Sequence, residues 1–108
     1  IGQSMVSADQ FVNLFKNNEA VMLDVRFSFE TQAWGMKFAI EIPQNELPDR
    51  LDELPEDKII VCACPMEIRS TMVCQYLLTK EFQAKILMGG LIGLADRLRG
   101  GAAKDLGL

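Results

Sequence analysis

The stretch "IIVCACPMEIRSTMVCQYLL", Ile59 to Leu78, holds two hydrophobic patterns with a cysteine between them. "DKIIVCA" is a short β-branched, apolar run and reads as a buried strand. "STMVCQYLLTK" changes to helical spacing, with Val73 and Leu77, and Cys74 and Leu78, as i,i+4 pairs. Cys64 then stands at the carboxyl end of the strand, and Arg69 at the mouth of the helix. Open α/β sheets bind ligands at that edge, and the helix amino terminus there favours anions.

The same alternation runs outward in both directions. Ser7 with Gln10 three residues on is a capping box before "ADQFVNLF", a helix that "NN" at 17 and 18 ends. "AVMLDVR" is a buried strand. After a polar, irregular stretch, "FAIEIP" is a shorter one stopped by Pro43. Asn45 is expected to cap "ELPDRLDEL", a short helix with Leu47, Leu51 and Leu54 on one face. "AKILM" is the last strand, "GG" at 89 and 90 a turn, and "LIGLADRLR" a closing helix with Leu91, Leu94, Ala95 and Leu98 inward and Gly100 and Gly101 at its C-cap. Strands that are apolar throughout, alternating with helices, predict an α/β fold: a parallel sheet covered on both faces.

Composition narrows the function. With 108 residues, 49% of them hydrophobic, the chain supports one core and not two. No apolar run approaches the roughly 20 residues that span a bilayer, and no leader pattern is read, so a soluble domain is expected. The formal charge of −4 would repel a nucleic-acid backbone. Glu46, Asp49, Asp52, Glu53, Glu56 and Asp57 crowd around Arg50 and read as a solvated face, with a docking surface as the alternative. Three cysteines and no secretion signal fit a reducing, cytoplasmic setting. Cys62 and Cys64 are expected on opposite faces of their strand, which argues against a disulfide or a shared metal. The absence of histidine removes the usual general base and the commonest metal ligand, and no cofactor is expected.

Physically, "CPMEIR" is a nucleophile, four loop residues and an arginine before a helix whose first amides have no partner within it. Those amides, the helix dipole and Arg69 favour a thiolate and can hold an anionic sulfur or oxygen. The alternative is an inert cysteine packed as a small hydrophobe. Asp24 and Arg26 read as architectural, Cys74 as core, and Trp34 and Phe38 as plugs of the sheet edge or part of a substrate lip.

"LDVR" at 23–26, "AIEIPQNELPDRLDELPEDKIIV", "CPMEIRS" and "LMGGL", in that order and spacing, resemble a single-domain rhodanese over nearly the whole chain. The resemblance implies a rhodanese-like fold, five parallel strands with helices on both faces, over residues 7–100. Residues 1–6 would be a tag or linker remnant with a first short strand, and 101–108 a tail. It implies a sulfurtransferase in which Cys64 carries a persulfide and Pro65, Met66, Glu67, Ile68, Arg69 and Ser70 line the substrate site. The expected partners are a small-molecule sulfur donor and a thiol or cyanide acceptor, with a fused or partner redox enzyme, and neither nucleic acid nor membrane.

Departures from the family pattern bear on substrate. Pro65 stands where a second arginine is common and has no N–H to give. Glu67 replaces a glycine, and its carboxylate would oppose an anionic donor such as thiosulfate if it faced inward. "WGMK" replaces the usual glycine-histidine-isoleucine-proline, and Leu94 an aromatic residue. These changes keep open a non-catalytic rhodanese-like interaction or regulatory module. Phosphatase or arsenate reductase chemistry fits less well, because by resemblance those relatives need a longer loop than six residues.

Overall fold

The computed structural model describes residues 5–33, 38–64 and 67–99, with side chains as far as residue 95. Its elements are β1 (Met5–Val6), α1 (Ala8–Lys16), β2 (Ala20–Asp24), α2 (Ser28–Ala33), β3 (Ile40–Glu41), two 3₁₀ segments (Gln44–Asp49 and Leu51–Glu53), β4 (Ile59–Ala63), α3 (Ile68–Thr79), β5 (Ala84–Leu87) and α4 (Gly90–Arg99). The five strands form one sheet in the order β1-β5-β4-β2-β3, and every pairing is parallel. The most apolar strand is therefore the central one. β4 runs beside β2 from Ala20↔Ile59 to Asp24↔Ala63, and beside β5 from Ile60↔Ala84 to Cys62↔Ile86.

Because side chains alternate along a strand, β4 feeds two separate cores. Ile60, Cys62 and Cys64 pack with Val73, Cys74 and Leu77 of α3 and with Leu47 and Leu54 of the 3₁₀ layer. Val61 and Ala63 face Phe11, Val12, Leu91 and Leu94 of α1 and α4. Cys62 and Cys64 thus share a face. The expectation that they point apart is wrong, since residues two apart on a strand lie on one side.

The capping box forms as the sequence indicates. The Gln10 N–H donates to Ser7 Oγ at 3.1 Å, and the Ser7 N–H to Gln10 Oε1 at 2.8 Å. Asn17 is the C-cap, and Asn18 takes φ 60° to turn the chain into β2.

Four local readings need correction. The helix expected after Asn45 is two 3₁₀ segments with no side-chain cap, because Pro48 lies inside it, lacks an N–H and clashes with an α-helical turn. The "FAIEIP" strand shrinks to Ile40–Glu41, though the Ile42 N–H still donates to the Asp24 carbonyl at 3.1 Å. The stretch read as irregular contains α2. Leu78 is 48% exposed, so it does not share the inward face of Cys74. Leu91 and Leu94 are buried as expected. The acidic segment is a solvated network in which Arg50 reaches Glu46 at 3.1 Å and Glu53 at 2.6 Å.

Phe38 belongs to the α1 layer, with its ring 6.2 Å from Phe11 and 5.8 Å from Phe15. That is a packing role and not a substrate lip. Trp34, the rest of "WGMK", Gly100, Gly101 and the 101–108 tail lie outside the described residues.

Phe11 is fully buried at the centre of this aromatic layer. Phe11→Ala should lower stability by about 3–5 kcal/mol, read as an earlier urea midpoint with an unchanged slope. A loss below about 1 kcal/mol would mean the layer repacks freely.

Candidate active site

Cys64 follows the last residue of β4, where the sheet hands the chain to α3. Its sulfur accepts the Ser70 N–H at 3.4 Å and lies 3.5 Å from Ser70 Oγ. Ser70 Oγ donates onward to the Glu67 carbonyl at 3.2 Å, and Thr71 Oγ1 donates to the same carbonyl at 2.6 Å. The first turn of α3 is thereby wound around the thiol. A backbone N–H from a helix amino terminus on sulfur favours negative charge there. Cys64 is 2% exposed and Ser70 fully buried. Pro65 and Met66 lie outside the described residues.

Arg69, the second residue of α3, pairs with a carboxylate of another helix. Its Nη1 and Nη2 donate to Glu30 Oε1 and Oε2 of α2 at 2.6 and 3.0 Å, and its guanidinium lies 5.6 Å from the Phe27 ring centroid. The Phe27 N–H in turn donates to Glu30 Oε1 at 3.0 Å, half of a capping box at the start of α2. This arrangement holds Glu30 down at about 2, from its ordinary 4.5, chiefly through the hydrogen bond from Arg69. The Arg69 guanidinium is raised by the same bond first, and further by the neighbouring Cys64 and Asp24. Arg69 is therefore a positive charge near the sulfur, fixed in place by another element.

Glu67 is held by a backbone amide of a distant turn. Its Oε2 accepts the Gly89 N–H at 2.6 Å, so the carboxylate turns toward the β5–α4 turn. The Leu91 N–H donates to the Cys64 carbonyl at 2.8 Å. The loop is thus pinned at both ends to that turn, where Gly89 and Gly90 take φ +80° and +62°, values that favour glycine.

Beneath the site, Arg26 Nε and Nη2 clasp the Asp24 carboxylate at 2.7–3.1 Å, and the Arg26 N–H adds a bond of 3.1 Å. Both residues are buried, and the pair fixes the chain as it leaves β2. Several large apolar side chains are exposed on the segments that follow β2, Cys64 and β5: Phe27 and Phe29, stacked at 5.9 Å, Ile68 and Met72 one turn apart on α3, and Met88 and Ile92 on either side of Gly89 and Gly90.

Residues 7–96 match the family described as Rhodanese-like domain. The chain belongs to that family. A sulfurtransferase of Allochromatium vinosum is 28% identical over 83 residues, which cover 76% of this chain and 78% of that protein. Reduced CoADR-RHD of Bacillus anthracis aligns at 31% identity and TM-score 0.73, and an NAD-dependent persulfide reductase of A. fulgidus at 40% and 0.59. Those alignments cover 84% and 68% of this chain but only 16% and 13% of the two structures. The rhodanese-like module is thus a small part of both larger proteins.

Glu30 was not singled out from sequence, and Gly89 was read only as part of a turn. The half capping box "FSFE" could have placed Glu30 at a helix start, but its pairing with Arg69 spans 39 residues and has no local signal.

Two outcomes follow from this geometry. Glu30 is depressed on folding, so its contribution is present in full above about pH 4.5 and is lost as pH falls through about 2. The stability gap between wild type and Glu30→Gln should be widest near neutrality and close on acid titration followed by circular dichroism; a gap that persists at low pH would show that the carboxylate charge is not its source. Glu67→Ala should cost about 1 kcal/mol and change thiosulfate and persulfide turnover by the same factor, because Glu67 acts through loop geometry. A selective gain with thiosulfate would restore direct repulsion as the cause.

Proposed function

We propose that this rhodanese-like domain is a sulfurtransferase that carries sulfane sulfur as a persulfide on Cys64. The observation behind the reading is the Ser70 N–H on the Cys64 sulfur, at the sheet edge where α3 begins. The Cys64 thiolate attacks the outer sulfur of a donor R–S–SH, whose S–S bond breaks to release the R thiolate and leave Cys64–S–SH. An acceptor thiolate then attacks that outer sulfur, takes the SH group and returns Cys64 as thiolate. Helix amides stabilise each anionic sulfur without a general base. In this reading Pro65, Met66, Glu67, Ile68, Arg69 and Ser70 form the substrate loop, with Arg69 positioned by Glu30.

The exposed apolar side chains of Phe27, Phe29, Ile68 and Met72 support a protein thiol as acceptor, since a partner that brings its cysteine to the Cys64 loop would cover apolar surface on the segments beside it. The fused modules of similar sequence make a redox enzyme of a reducing, cytoplasmic compartment the partner class of choice. No helix among the described residues is long and apolar enough to cross a membrane.

One observation favours a second reading. At 2% exposure Cys64 is nearly covered, which suits an interaction module that has lost turnover. Intact mass spectrometry after incubation with glutathione persulfide, polysulfide and thiosulfate separates the two. The sulfurtransferase gains one sulfur that a reductant removes, and Cys64→Ser does not, while Cys62→Ser and Cys74→Ser still load. No gain with any donor establishes the non-catalytic module, and loading that survives in Cys64→Ser moves the site elsewhere.

A further inference from the structure

The cation beside the nucleophile is shared with a carboxylate from a distant part of the chain. Arg69 directly precedes Ser70, whose N–H donates to the Cys64 sulfur at 3.4 Å. The two terminal nitrogens of Arg69 donate to the two oxygens of Glu30 at 2.6 and 3.0 Å. Glu30 is itself held, because its Oε1 also accepts the Phe27 N–H at 3.0 Å. The two side chains are 27% and 23% exposed, so water and salt screen the pair incompletely.

The charges around Cys64 do not add up to a trap for a multiply charged anion. Arg26, the guanidinium that follows β2, is clasped by Asp24. Glu67 adds a third carboxylate, held by the Gly89 amide, and Pro65 and Met66 carry no charge. What attracts a negative sulfur is the amide at the amino terminus of α3, which serves a donor of one charge as well as a donor of two. A second charge on the donor calls for a guanidinium. One whose bidentate bonds are already made must give them up to meet it.

We propose, building on the Cys64 persulfide reading above, that Glu30 is a specificity-determining residue: by pairing with Arg69 it makes the site select monoanionic organic sulfur donors over the dianion thiosulfate. Such donors are organic thiosulfonates, R–SO₂–S⁻, and persulfides, R–S–S⁻. With a thiosulfonate, the Cys64 thiolate attacks the outer sulfur and the S–S bond breaks. The sulfinate R–SO₂⁻ leaves with the bonding pair, and Cys64–S–S⁻ remains. Thiosulfate reacts by the same step and releases sulfite, SO₃²⁻, so with R as methyl the two donors differ chiefly by one charge on the leaving group. Phe27, whose ring centroid is 5.6 Å from the Arg69 guanidinium, and Phe29, stacked on it, are exposed and offer R an apolar surface.

Sodium thiosulfate and sodium methanethiosulfonate, with cyanide as common acceptor, test the assignment. Wild type should have the higher kcat/KM with methanethiosulfonate. Glu30→Gln keeps the shape of the side chain and should raise the thiosulfate-to-methanethiosulfonate ratio of kcat/KM by about tenfold. The gain should come through the thiosulfate KM and shrink as salt is added. In an Arg69→Gln background the same substitution should leave the ratio unchanged, because Glu30 acts through Arg69. A purely structural role in α2 would change both donors equally. A wild-type preference for thiosulfate, a ratio unmoved in Glu30→Gln, or a gain that persists without Arg69 would each overturn the proposal. Should Glu30→Gln fold poorly, Glu30→Met carries the same expectation. Calorimetric affinities of the two anions for Cys64→Ser, with and without Glu30→Gln, read the ratio without turnover. Sulfur transfer absent while the affinity ratio depends on Glu30 defeats the sulfurtransferase reading and leaves the charge selection standing; transfer present with a ratio independent of Glu30 defeats the selection alone.

Discussion

The buried bidentate contact between Asp24 and Arg26 is the constraint on which the site depends. It forms where β2 ends, beside Ala63 on the neighbouring central strand. A carboxylate and a guanidinium taken out of water are tolerable only when each satisfies the other, and breaking such a pair typically costs about 3–5 kcal/mol. The backbone continues the tie: the Val25 N–H donates to the Ala63 carbonyl at 3.1 Å, immediately before Cys64. The start of the Cys64 loop is therefore fixed from below by a buried charge pair.

From above, the loop is held by three different elements. Ser70 of α3 supplies the amide on sulfur, Glu30 of α2 anchors Arg69, and the Gly89 and Leu91 amides of the β5–α4 turn take the Glu67 carboxylate and the Cys64 carbonyl. Each contact is modest, and several are partly exposed. Together they fix the geometry around the Cys64 sulfur.

Much of this was legible from sequence because it is local. The β4–Cys64–α3 junction, the capping box at Ser7 and the parallel alternation follow from periodicity and capping chemistry acting over a few residues. The misreadings have equally physical causes. Pro48 turned an amphipathic pattern into 3₁₀ turns, and α2 is too short to show a helical period. The orientations of Glu67 and Arg69 are set by Gly89 and Glu30, each distant along the chain, so no local pattern predicts either partner. The shared face of Cys62 and Cys64 was available from the strand period alone and was misassigned.

The all-parallel sheet has a consequence for how this chain reaches its fold. With no hairpin between strands, every strand pairing closes a long loop, and β1 with β5 joins residues 5 and 86. Loop closure must be met before such contacts are rewarded, so topologies of this kind fold slowly for their size. During that interval the apolar run of β4 has neither neighbour in place, and an unpaired β-branched strand is the segment most exposed to pairing with another chain. The hydrophobicity that makes β4 the central strand is thus also the principal hazard of its assembly.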